Sequence, residues 1–321
     1  MINLDEILSG ASDVGIAAHV RPDGDAFGSS MGLYLFLKKY YPQIRSKVFL
    51  EDSFSDSFRF IKGTGEIISD YPQEDGFDVF FALDISSKER LGKAMPYFEQ
   101  ARTKVLIDHH VSNTGFGQIN EIQPEASSTS ELIALLIGKE RLTKEIAEPL
   151  YLGIIQDTGV FQYSCTSSRT MMVSGWLMDT GIAFSKICDD TFYKKTYHQN
   201  QIMGRAITES IMMLGGKVIF SAIPQKAMRF YEVEPKDLDG IVQQLRVTEG
   251  VEVAIFLYQT GLQEYKVSLR SNGKVDVCQI ASYFQGGGHK LAAGCTMQGE
   301  VHDVINNIVK KIDEQLKAFH D

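Results

Sequence analysis

Through the first half of the chain, short runs of β-branched and aromatic residues alternate with stretches in which apolar positions recur every three or four residues. The runs predict strands at Val14 to His19, Lys47 to Leu50, Asp78 to Leu83 and Lys104 to Ile107. The recurrences predict helices at Ser29 to Tyr40, Thr129 to Lys139 and Lys144 to Gln156. Such alternation belongs to an α/β domain, a parallel sheet wrapped by helices. On this reading strands end at His19, Asp84 and Asp108. Open α/β sheets bind ligands beyond the carboxyl ends of their strands, so these side chains are expected to converge there.

The pattern changes further along. From Ala183 to Ser210 the chain is polar and mostly helical, passing Lys194, Lys195, His198 and Arg205, and reads as a helical linker. Beyond it a strand is expected at Lys217 to Ile223 and a helix around Leu238 to Arg246. Strands at Val251 to Tyr258 and Glu264 to Arg270 form a hairpin about Thr260-Gly261. A glycine-rich loop, Gly286 to Gly288, and an amphipathic helix, Val301 to Phe319, complete a smaller α+β domain. The expected division is therefore 1–185, a linker at 186–213, and 214–321, as a length of 321 residues suits two domains. Trp176, Met171, Met172 and Met178 lie at helical spacing and are expected in the core, and Lys310-Lys311 on a solvated face.

Charge narrows the function. A net charge of −9 disfavours a protein that tracks long nucleic acid through many phosphate contacts. A short anionic substrate stays open, since bound metal and a few basic side chains set the local field. The first ten residues carry Asp5 and Glu6 and no long apolar run, so no secretory signal is expected. No stretch approaches the roughly 20 apolar residues of a membrane helix. Cys165, Cys188, Cys278 and Cys295 show no C-x-x-C spacing, which points to reduced thiols in the cytoplasm.

The chemistry gathers in four segments. His19-Val20-Arg21-Pro22-Asp23-Gly24-Asp25 puts an imidazole and two carboxylates just after a strand. Those donors suit Mn²⁺ and, less well, Mg²⁺ or Zn²⁺, although turn-forming aspartates would explain the segment equally well. Asp84 follows Phe80-Phe81-Ala82-Leu83, where a helix cap is the rival role. Asp108-His109-His110 follows an apolar strand, and packing rarely explains adjacent histidines at a strand end. Asp157 follows Gly153-Ile154-Ile155-Gln156, and a carboxylate after so apolar a run needs a partner or a metal unless it ends a helix.

In these motifs, in their order, with Arg90 behind Asp84, the chain resembles the DHH phosphoesterases over essentially its whole length. The ending Gly286-Gly287-Gly288-His289-Lys290-Leu291-Ala292-Ala293-Gly294 looks like the signature of the DHH-associated C-terminal domain. Within the family the likeness is to the bacterial NrnA-type nanoRNases, which combine oligoribonuclease and pAp phosphatase activity.

The resemblance implies two divalent ions, Mn²⁺ first among candidates. His19 and Asp23 would hold one, Asp25, His109 and Asp157 the other, with Asp84 bridging. His110 would face the substrate as a catalytic residue, and Asp108 would support the histidine loop. The active site is expected in the cleft between the domains. Short RNA oligonucleotides and small nucleotides are the implied substrates, with no membrane partner; a homodimer is compatible with the sequence. In the smaller domain, Gly286, Gly287 and Gly288 could offer N–H groups to an anion, with His289 and Arg270 beside them. His198 and Arg205 are further substrate contacts if the linker lines the cleft. The alternatives are hydrolysis of linear or cyclic dinucleotides, a RecJ-type single-stranded DNA exonuclease, and a nucleotide-binding regulator without catalysis.

Overall fold

Five strands, β1 (Asp13–Ala17), β2 (Arg45–Phe49), β3 (Val79–Leu83), β4 (Thr103–Asp108) and β5 (Ile119–Ile122), form a parallel sheet in the order β2-β1-β3-β4-β5. This computed structural model describes residues 1–72 and 76–318. Both faces of the sheet are covered, so its strands are apolar on both sides. Val79, Phe81 and Leu83 enter the core beneath the helices Gly24–Tyr40, Thr129–Ile137 and Lys144–Asp157, while Phe80 and Ala82 enter a second core with Phe49 and Phe98. The sequence reading missed β5, because Ile-Asn-Glu-Ile is short and half polar.

The strand order reverses beside β1, with β2 on one side and β3 on the other. Chains leaving the carboxyl ends of β1 and β3 diverge there and open a crevice. His19 lies two residues past β1, Asp84 follows β3 directly, and Asp108 is the last residue of β4.

The helix expected from Ser29 begins at Gly24, because the Asp23 side chain accepts from the amides of Asp25 and Ala26, both at 3.1 Å, and caps it. Asp25 therefore rides on the first helical turn and not in a loop. Gly24, Gly28 and Gly32 recur once per turn and face the helix Lys144–Asp157. A Cβ at Gly24 would overlap the Gln156 side chain, one at Gly28 the Pro149 carbonyl, and one at Gly32 the Leu150 side chain. This close approach sets Asp25, at the start of one helix, beside Asp157, at the end of the other. We expect Gly28→Ala to cost about 2 kcal/mol, as overpacking against backbone does. Thermal melts would show this loss; an unchanged melt would mean that the helices give way freely.

The second helix stops at Asp157 through an unusual turn. Gly159, Val160 and Phe161 all have positive φ, at 56°, 54° and 67°. Val160 N–H donates to Ile155 O at 2.8 Å and Tyr163 N–H to Thr158 O at 2.9 Å, which holds this strained backbone in place.

The next helix, Ser168–Asp179, corrects the expectation for its methionines. Its buried face is Thr170, Val173, Ser174 and Leu177, so Met171, Met172 and Met178 point outward and are exposed. Trp176 is partly buried at the edge of the core.

By internal contacts the chain divides between Lys194 and Lys195. The second unit is built on a mixed sheet, β6 (Ile211–Met213), β7 (Val218–Ile223), β8 (Val253–Gly261), β9 (Glu264–Ser271), β10 (Gly287–His289) and β11 (Ala292–Gln298), in the order β10-β11-β9-β8-β7-β6. Within this sheet only β7 and β8 pair in parallel among the described strands. The segment read as a linker splits at this boundary. Its helix Tyr197–Thr208 belongs to the second unit, where Ile202 and Ala206 pack on one sheet face with Ile219, Ile241 and Phe256. The other face is covered by the last helix, Val301–Ala318; Phe319, included in the expected helix, lies outside the described residues.

Two turns differ from expectation. Pairing of Gly261 with Glu264 places the hairpin turn at Leu262-Gln263, with Gln263 at φ 52°, while a register shift absorbs Gln259 to Gly261. The glycine loop is in part a strand. Gly287, Gly288 and His289 pair with Gly294, Ala293 and Ala292, and Gly286 N–H donates to Ala281 O at 2.8 Å. A Cβ at Gly288 would stand 2.6 Å from Ala293 Cα, so that glycine serves close backbone packing. Only Gly287 of the three has open space where a side chain would be.

Candidate dimetal centre

Asp84 stands at the middle of the site, buried, in a left-handed backbone conformation with φ 56°. Aspartate tolerates that conformation better than most residues, and its amide is tied to Ile107 O at 3.0 Å. The two oxygens of its carboxylate face different histidines. Oδ2 is 3.6 Å from His19 Nε2, and Oδ1 is 3.4 Å from His109 Nε2. His19 Nε2 is also 3.6 Å from Asp23 Oδ2, the oxygen that does not cap the helix. His109 Nε2 is 3.2 Å from Asp157 Oδ2 and 3.9 Å from Asp25 Oδ2.

The structure thus brings together His19, Asp23 and Asp84 as one group, and Asp25, His109 and Asp157 as another, with ligand atoms within 4.8 Å of one another in each. Asp84, His109 and His110 form a third group on the same criterion.

The surroundings orient these side chains. His19 Nδ1 lies 2.8 Å from Val20 O and 2.9 Å from Arg90 Nη2; with Nδ1–H donated to Val20, Nε2 is free toward Asp23 and Asp84. His109 Nδ1 faces Ala126 O at 3.4 Å. Asp25 accepts from the amides of Thr129 at 2.6 Å and Ser130 at 2.8 Å, so the N-terminus of the helix Thr129–Ile137 holds its charge. Asp108 touches His110, not His109: its Oδ1 is 2.7 Å from His110 Nδ1, while Asn113 Nδ2 donates to its Oδ2 at 2.6 Å. Asn113 had no signal in the sequence beyond its nearness to the histidines.

So many carboxylates in so little space need positive charge. Burial, then the charges of Asp84 and Asp157, lifts Asp25 well above the carboxylate range. Burial also lifts Asp157, contact with His109 opposes it, and the charges of Asp84 and Asp23 add to it, leaving its pKa at about 6. Burial pulls His109 down, but Asp157, Asp84 and Asp25 outweigh it and push the imidazole up to about 12. The cluster thus favours bound positive charge, and mixed carboxylate and imidazole donors are the set that divalent cations take.

In the second unit, the pairing registers align His289, Ala292 and Arg270 in one row across β10, β11 and β9, which puts both basic side chains on the same sheet face. Arg270 Nη1 donates to Leu269 O at 3.0 Å, and His289 is exposed. His198 and Arg205 have local partners: His198 Nδ1 meets Tyr231 O at 2.7 Å, and Arg205 Nε donates to Glu209 at 3.0 Å.

A sheet with its acidic and imidazole side chains at the switch point defines a class, and the sequence comparison agrees. The family described as DHH family, N-terminal domain, matches residues 13–154, and the DHHA1 domain matches 199–318. The chain thus carries a DHH domain followed by a DHHA1 domain. It is 29% identical over 315 residues to the bifunctional oligoribonuclease and PAP phosphatase NrnA of Thermus thermophilus, covering 94% of this chain and 89% of that protein. The Bacillus subtilis protein of the same name is 27% identical over 285 residues, 87% of either chain. An exopolyphosphatase-related protein from Bacteroides fragilis superposes with a TM-score of 0.89 at 26% identity, over 98% of this chain and 96% of that one.

Proposed function

We propose that this enzyme hydrolyses short oligoribonucleotides to mononucleotides, and pAp to AMP and phosphate, using two divalent cations of which Mn²⁺ is the first candidate. The observation that carries the reading is the Asp84 carboxylate, one oxygen toward His19 and Asp23 and the other toward His109, with Asp25 and Asp157 beyond. His19, Asp23 and Asp84 would hold one ion; Asp84, Asp25, His109 and Asp157 would hold the other. Bound there, the ions would supply a water of lowered pKa and positive charge for the phosphoryl oxygens.

The chain's own groups do the rest. Asp108 holds His110 by Nδ1, which leaves the other ring nitrogen to donate to a phosphoryl oxygen or to protonate the leaving oxygen. In the second unit, Arg270 and His289 grip the nucleotide, with the Gly286 to Gly288 segment lying alongside. His198 and Arg205 are weaker candidates, since each already has a partner. The names of the Thermus and Bacillus relatives agree with this substrate class. Among the described residues no helix is long and apolar enough to cross a membrane, and the four free cysteines suit a reducing cytoplasm, where we place the enzyme.

Chelation should abolish turnover and added Mn²⁺ should restore it. Across pAp, an RNA dinucleotide, a cyclic dinucleotide and long single-stranded DNA, kcat/KM should be highest for the first two. A preference for cyclic dinucleotide or long DNA would overturn the substrate assignment. Full activity in protein shown by elemental analysis to be metal-free would overturn the metal assignment.

A further inference from the structure

Ser128-Thr129-Ser130-Glu131 has the form of a helix capping box, in which the glutamate normally reaches back to the amide of the capping serine. Half of the box is present: Ser128 Oγ accepts from Glu131 N–H at 3.1 Å. The Glu131 carboxylate has gone elsewhere. It is fully buried and accepts from Ser127 Oγ at 2.6 Å, Thr170 Oγ1 at 2.8 Å, Arg169 Nε at 2.6 Å and Ser127 N at 3.3 Å. Arg169 Nη1 also donates to Gln123 Oε1 at 3.0 Å, and Gln123 N–H donates to Asp108 O at 3.0 Å. One buried carboxylate thus fastens three segments: the turn before the helix Thr129–Ile137, the start of the helix Ser168–Asp179, and the chain after β5.

The fastened turn is the part of the backbone that touches the metal centre. Ala126 O faces His109 Nδ1, the Thr129 and Ser130 amides hold Asp25, and Thr129 Oγ1 donates to Asp84 Oδ1 at 3.3 Å. Neither Glu131 nor Arg169 is in either group of proposed ligands, yet residues 126–130, which they fix, meet a ligand of each.

We propose that Glu131 and Arg169 are positioning residues for the dimetal centre, setting metal affinity by fixing the Ala126 to Ser130 turn against His109, Asp25 and Asp84. The proposal rests on the dimetal reading above. Its signature is a split between metal binding and chemistry. All the ligand side chains survive in Glu131→Gln, so saturating Mn²⁺ should restore kcat, and KM for an RNA dinucleotide should not move. Only the concentration of Mn²⁺ needed should rise.

Titration of chelator-stripped full-length protein with Mn²⁺ alone, followed by the electron paramagnetic resonance signal of the free ion, measures this directly. Wild type should take up two ions. Glu131→Gln should bind at least one of them about 10- to 100-fold more weakly, the usual cost of disturbing groups that orient ligands. Removing this buried charge leaves Arg169 unpaired and could unfold the chain. Arg169→Lys, which keeps the charge and loses the fork that joins Glu131 to Gln123, is therefore the companion variant, with a smaller shift in the same direction. If wild type binds two ions and Arg169→Lys binds them equally tightly, the proposal fails alone. It fails alone also if Glu131→Gln loses kcat with Mn²⁺ affinity unchanged. A wild-type protein that does not bind two ions takes the dimetal reading with it.

Discussion

Asp84→Asn should leave a folded protein that has lost hydrolysis by on the order of a thousandfold or more, the largest effect we expect of any single change. A bound ion contributes several kcal/mol to a phosphoryl transition state, and each 1.4 kcal/mol or so is a decade in rate. Asp84 faces a histidine of each ligand group, so the two proposed ions would be weakened together. Asparagine is the replacement to use, because the residue sits at φ 56° and asparagine tolerates that conformation as aspartate does. Elemental analysis should find fewer than two ions in the purified variant. Two retained ions together with near-normal turnover would show that Asp84 is not the bridge.

The second large effect should come from His110→Gln, with kcat reduced roughly a hundredfold or more while both ions stay bound. Contact with Asp108 raises the His110 pKa, burial opposes it, and the charge of Asp84 adds to the rise. A group held in its protonated form donates a proton until the pH climbs through its pKa, so activity that depends on it is lost on the basic side. The basic limb of the wild-type kcat profile should therefore be missing in His110→Gln. Loss of one ion from this variant would instead assign His110 to the third ligand group, with Asp84 and His109.

Local signals carried much of this in the sequence. The apolar runs of β1, β3 and β4 were readable because both sheet faces are buried, and the residues just past them mark the site. What depended on distant packing was not readable. Asp25 looked like a loop residue until Asp23 proved to cap the helix beneath it. Met171, Met172 and Met178 looked like core because a period of three or four does not say which face of a helix is inward; Thr170, Val173, Ser174 and Leu177 settle that. Glu131 was not singled out in the sequence, since its partner Arg169 lies 38 positions away, beyond any spacing rule. In Gly286 and Gly288 the absence of a side chain answers to the neighbouring strand, a constraint that exists only once β10 and β11 pair.

The close packing of Gly24, Gly28 and Gly32 against the helix that ends at Asp157 has a consequence for how the protein is made. A growing chain exposes His19, Asp23 and Asp25 early, whereas Asp157 is translated only after the whole parallel sheet, whose pairings are all non-local. Until that helix docks on the glycine stripe, the nascent polypeptide has at most an incomplete and weak metal site. On the proposed two-ion reading, loading of the second ion would then belong to the end of maturation, and because an ion that binds only the finished fold stabilises it by mass action, starvation for metal would leave a pool of newly synthesised chains easier for proteases to open.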